Sequence, residues 1–132
     1  MTVSYSDWKG RAAALAPETR MFIDGKFVEA ASGARFETIN PANGAVIAEV
    51  ARGGPEDVDR AVAAARRAFR SGVWSRMDPQ ERMAVMRRFA DLIEENAEQF
   101  ALLDTLDMGK PVTDMLEIDI PGALSAFRFF GE

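Results

Sequence analysis

One long helical signal, from Asp78 to Gly109, constrains the fold more than any other part of the chain. Asp78-Pro79-Gln80-Glu81 supplies an Asp N-cap, a proline at the first helical position and a glutamate where a capping box needs it. Met86, Phe89, Ala90, Ile93, Ala97 and Phe100 then recur as a single stripe that must face a core. The pattern bends or restarts near Asn96 and runs to about Met108, with Gly109 as the residue after the helix end and Pro111 beyond it. A chain built on this element is a soluble α+β domain, mostly helical.

Asp104 and Asp107 break a local rule. They lie in the last turns, where the helix end is already negative and a carboxylate loses about 0.3 to 1 kcal/mol. Lys110, plain solvation or a bound ion would answer them. A further acidic run, Asp114, Glu117 and Asp119, precedes Pro121 and Gly122. A short helical turn through Met115 and Leu116 is expected here. A last helix then starts around Pro121, with Leu124, Phe127 and Arg128 packing inward.

The preceding segments supply smaller elements. Ser6 or Asp7 is expected to cap a short helix through Trp8, Ala12 and Leu15 that ends before Pro17. Asp24-Gly25 sits between two apolar runs and supplies the positive φ angles of a type I′ hairpin, with strands over about 21–23 and 26–29. Phe36–Ile39 and Val46–Val50 form a second pair around Asn40-Pro41-Ala42-Asn43-Gly44. Two such hairpins are marginal alone and need a surface to lie on. From Pro55, the residues Val58, Ala61, Val62, Ala65 and Phe69 mark one face of another helix, acidic at its start and rich in arginine at its end. Gly53-Gly54 reads as a plain helix entry, because neither G-x-G-x-x-G nor G-K-[ST] follows.

Composition removes whole classes of function. The net charge of −5 argues against nucleic acid or an anionic membrane as partner. With no cysteine and no histidine, disulfides, thiolate nucleophiles, the usual zinc ligands and His-based triads all drop out. No run reaches the roughly 18 apolar residues of a membrane span, and the amino terminus MTVSYSDWKGR has no apolar signal region. A cytoplasmic protein is expected. The acidic residues leave a carboxylate pair open for acid–base work.

Read in order, FIDGKFVEAASGARFETINPANGAVIAEVARGGPEDVDRAVAAARRAF and GVWSRMDPQERMAVMRRFADLIEENAEQFALLDTLDMGKP resemble the amino-terminal part of the NAD(P)-dependent aldehyde dehydrogenase superfamily, from about Arg20 onward. The DIPGA segment and the Trp-containing first helix look most similar to γ-glutamyl-γ-aminobutyraldehyde and ω-amino or guanidino aldehyde dehydrogenases. The resemblance implies a three-layer α/β enzyme several times longer than this chain, a homodimer or homotetramer. Residues 1–19 would be an amino-terminal arm, and 20–132 the first, incomplete part of a split cofactor-binding domain. NAD or NADP would be held mainly by sequence not present here.

The family's catalytic cysteine, which forms a thiohemiacetal, and the glutamate that activates the deacylating water also lie outside this sequence, so the chain alone is expected to be inactive. The resemblance further implies a sodium or potassium ion held by the main chain at Thr38 and Ile39 and by Asp107. It implies an aldehyde entrance at Ile118, Asp119 and Gly122, where the aspartate that matches Asp119 helps hold a substrate's cationic amine. Gly122, in place of a larger residue in several relatives, would widen that entrance. The plainer reading of Asp119 is a cap for the last helix. The hairpins and the helix from Pro55 to Arg70 would be structural only. The competing functional reading is a non-catalytic helical scaffold or partner-binding module derived from such an enzyme.

Overall fold

The computed structural model describes residues 4–131. Its first helix, α1 (Tyr5–Ala14), is capped by Ser4, which precedes both residues expected in that role. The Ser4 hydroxyl accepts the Asp7 N–H at 3.2 Å and the Asp7 carboxylate returns a bond to the Ser4 N–H, so the acid serves as the second half of a capping box. The serine also holds the Asp7 carboxyl below its ordinary range through its side-chain hydrogen bond.

Two antiparallel hairpins follow: β1 (Met21–Ile23) with β2 (Lys26–Val28), and β3 (Arg35–Ile39) with β4 (Val46–Ala51). Asp24 and Gly25 both have positive φ, 55° and 75°, as a type I′ turn requires. In the second turn the Asn40 and Asn43 side chains accept the N–H groups of Ala42 and Ala45, each at 2.9 Å. The two hairpins are tied together through Thr19. Its carbonyl accepts the Ala51 N–H at 2.8 Å and its hydroxyl accepts from Arg35 at 2.7 Å. Beside it, Arg20 donates to Glu18 and holds that carboxyl down to about 2.

Helix α2 (Pro55–Ser71) starts as a plain entry at Gly54, and its left-handed terminator is Gly72. Its apolar face is largely uncovered. Val58, Val62 and Phe69 are exposed, Phe69 by 81%, because no element among the described residues covers them. Asp57, from the acidic first turn, is instead the buried residue of this helix.

The core is helical. It is formed by α3 (Pro79–Glu95), α4 (Ala97–Met108), the single turn α5 (Val112–Asp114), a π-helical turn over Met115–Asp119, and α6 (Ile120–Phe130). Asp78 caps α3 by accepting the Gln80 N–H at 2.8 Å. The break at Asn96 falls where the stripe predicts it, and Gly109 closes α4 at φ 79°. Ala90, Ala101, Met115, Ile120 and Leu124 form the buried cluster, with Ile93, Leu116 and Phe127 packed against it. Ala90 is fully buried, so α3 and α6 approach closely at that point. Leu124 and Phe127 thus pack inward as expected, whereas Arg128 lies on the surface and pairs with Asp91 and Glu94. No helix among the described residues is long and apolar enough to cross a membrane.

Candidate functional site

The stretch after α4 is continuous helical backbone, and that decides between two readings of Asp119. The Ile120 N–H reaches back five residues to the Met115 carbonyl, which makes Met115–Asp119 one widened π turn running directly into α6. Asp119 has helical φ and ψ of −74° and −48°, and its side chain makes no capping bond. A cap residue normally has extended backbone and accepts an N–H from the first turn. Asp119 does neither, so the plain capping role fails. Single π turns often coincide with functional sites because the extra residue re-aims neighbouring side chains.

Lys110 was one of three answers offered for Asp104 and Asp107, beside solvation and an ion. Its ammonium contacts the Asp119 carboxylate instead, with the two side chains 36% and 40% exposed. The contact is an ion pair and not an aligned hydrogen bond, and it engages Oδ2, which is shielded from solvent. Among the described residues, no cation pairs with Asp104 or Asp107.

Asp119 also borders an apolar cavity of about 420 Å³ between α3, α4, the π turn and α6. Phe89, Leu92, Phe100 and Met115 line it, and Asp104 joins Asp119 as the second carboxylate on its wall. No sequence pattern announced this pairing, because the two acids lie fifteen positions apart on different elements. On the outer side, Ile118 is exposed. A Cβ added at Gly122 would meet nothing within 4 Å, so the glycine leaves open space and relieves no clash.

The other predicted site lies at the far end of α4. Asp107 is exposed in the last turn. The chain just beyond it approaches the second hairpin, because a Cβ on Gly109 would stand 3.0 Å from Pro41 Cγ. Leu106 shares a small cavity with Asn40, Val46 and Ile47. In the ladder itself, the pairing shifts register between Thr38 and Ile39. The extra residue of that shift is Ile47 on β4; Thr38 and Ile39, whose main chain was expected to hold an ion, are both paired, with Ala48 and Val46. No group of three or more acidic side chains placed to hold a metal ion occurs among the described residues.

Neither sheet has parallel strands. A dinucleotide is normally held in the crevice at the carboxyl ends of parallel strands, so the described residues do not fit that role.

The model of the aldehyde dehydrogenase family matches residues 27–132. The chain belongs to the aldehyde dehydrogenase family. Its relatives within the family include the NADP/NAD-dependent aldehyde dehydrogenase PuuC of Escherichia coli K12, 47% identical over 95% of this chain and 25% of that protein. Among solved structures, the indole-3-acetaldehyde dehydrogenase AldA of P. syringae, in complex with NAD+ and IAA, superposes with a TM-score of 0.95 at 50% identity, covering 98% of this chain and 26% of that one. A γ-glutamyl-γ-aminobutyraldehyde dehydrogenase from Burkholderia cenocepacia superposes with a TM-score of 0.95 at 44% identity, with the same coverage. The chain thus spans about a quarter of the length of the family members it matches.

Proposed function

We propose that this chain is the amino-terminal part of a longer NAD(P)-dependent aldehyde dehydrogenase that oxidises an ω-amino, γ-glutamylamino or guanidino aldehyde to the carboxylic acid. The family match over residues 27–132 carries the reading. The 44% identity to a γ-glutamyl-γ-aminobutyraldehyde dehydrogenase supports an amino-aldehyde substrate. In this account residues 1–19 form an arm and 20–132 the first part of the cofactor-binding domain of a homodimer or homotetramer. The remainder of the enzyme binds NAD or NADP, which supplies the hydride acceptor, and carries the reacting cysteine and glutamate.

This segment's own contribution is the aldehyde entrance. Ile118 and Gly122 shape its outer side, and Asp119 supplies a negative charge for the substrate's cationic end. The absence of a capping bond on Asp119 supports that role, since its carboxylate is not spent on the helix start. In the intact enzyme, Asp119→Ala should raise KM for an aminoaldehyde far more than for a neutral aldehyde of equal length. Equal effects on the two would remove Asp119 from the entrance.

A monovalent cation, sodium or potassium, is proposed at the Thr38 and Ile39 main chain and Asp107. The shift in pairing beside Thr38 and Ile39 and an exposed Asp107 carboxylate with no cation partner among the described residues support it. A bound ion adds stability according to its occupancy. Exchanging potassium for a bulky organic cation should therefore lower the Tm of the intact enzyme; an unchanged Tm would remove the ion from the account.

A further inference from the structure

Helix α1 is too short to stand alone. A helix of 10 residues is marginal in water, and no residue of this one is fully buried. What it touches therefore holds it. Trp8, Ala12 and Leu15, half-buried at i, i+4 and i+7, form the face turned toward the rest of the chain. The Arg11 guanidinium lies 4.9 Å from the centre of the Trp8 ring and pairs with Glu98 in the first turn of α4. Leu15 leaves the helix with extended backbone, φ −70° and ψ 127°.

Leu15 sits at a seam. It shares one cavity with Trp8 and with Leu102 of α4, and a second with Val46 and Ile47 of β4 and with Leu106, one turn further along α4. Leu102 is only 6% exposed yet lies outside the buried cluster between α3 and α6, so its cover comes from the arm. The second hairpin and α4 also approach each other at Pro41 and Gly109. The arm thus spans a seam whose far end is held by that contact.

The fastening is light. The pair of Arg11 and Glu98 is exposed on both sides, by 44% and 55%, and such pairs contribute little. The apolar contacts border cavities of about 380 and 180 Å³ instead of a filled core. A segment with few buried apolar contacts opens more readily than the core it lies on.

We propose that residues 5–15 act as a strap across α4 and the β3–β4 hairpin, which detaches before the helical core does and whose release loosens the hairpin and α4 together. The same docking occurs in a complete enzyme, because the superposition on the indole-3-acetaldehyde dehydrogenase covers 98% of this chain, arm included. The strap depends on neither the substrate nor the proposed ion.

Hydrogen–deuterium exchange of the intact enzyme, read by mass spectrometry, tests it. In the unmodified enzyme Tyr5–Ala14 should exchange faster than Pro79–Glu95. Leu15→Ala should speed exchange by about tenfold in Tyr5–Ala14, in Val46–Ala51 and in Ala97–Met108, which is the scale of a leucine's partial burial. Pro79–Glu95 and Ile120–Phe130 should stay within about twofold. Trp8→Ala gives the same comparison where Leu15→Ala does not fold. Acceleration confined to Tyr5–Ala14 would make the arm a decoration, and equal acceleration in all five segments would make it part of the global folding unit. Either result overturns the inference, as does exchange in α1 of the unmodified enzyme as slow as in α3.

Discussion

Asp57 shows how much a single carboxylate carries when its partners lie far away in sequence. It is 2% exposed, and its oxygens accept the N–H groups of Ala31 at 3.1 Å and Gly54 at 3.0 Å, with Arg60 at 3.3 Å. It therefore caps α2 and fixes the loop after β2 against it. Removing the carboxylate leaves two backbone donors without partners, at about 1–3 kcal/mol for each buried one. Asp57→Ala should lower the stability of the intact protein by that order in chemical denaturation, and a change below about 0.5 kcal/mol would mean that water replaces the carboxylate. From the sequence, Asp57 is one of three acids at a helix start, and the macrodipole explains it adequately. Its reach to Ala31 was not legible, because nothing in a single sequence marks a contact 26 residues away. Lys110 misled for a related reason. Nearness in sequence pointed to Asp104 and Asp107, but the turn after Gly109 carries the ammonium to Asp119.

At the scale of elements, the legible parts are those whose chemistry is local. Asp24-Gly25, the two asparagines of the second turn, Asp78-Pro79 and Gly109 each specify their own backbone, and the structure places turns, caps and helix ends there. The π turn was not legible. A widened turn depends on how Met115 and Ile120 fit beneath α3, which is a matter of packing and not of local propensity. The stripe on α3 was readable, but its outcome depends on Ala90. This fully buried alanine lets α6 lie close, in van der Waals contact with its neighbours. Ala90→Leu should therefore overpack the α3–α6 contact and destabilise the intact protein by about 1–3 kcal/mol. Unchanged stability would mean that the two helices separate without penalty. The edge-on pair of Phe89 and Phe127, with ring centres 4.9 Å apart, flanks the same contact.

At the scale of the whole molecule, the chain buries few large side chains. No large residue is completely buried among those described, and Val58, Phe69, Phe129 and Phe130 all remain exposed. The stripe on α2 was legible as helix periodicity, which states which face is apolar but not what covers it. A span of about a quarter of its relatives' length agrees with apolar faces that meet further protein. The residues proposed for the entrance and for the ion came from family resemblance, and the structure adds the ion pair, the π turn and the cavity that resemblance did not contain. The most direct test compares aldehyde-dependent NAD(P)H formation by the intact protein with that of the isolated 132-residue chain. Turnover by the intact protein and none by the isolated chain is the predicted result; turnover by the chain alone, which has no cysteine, or none by the intact protein with any aldehyde, would contradict the account.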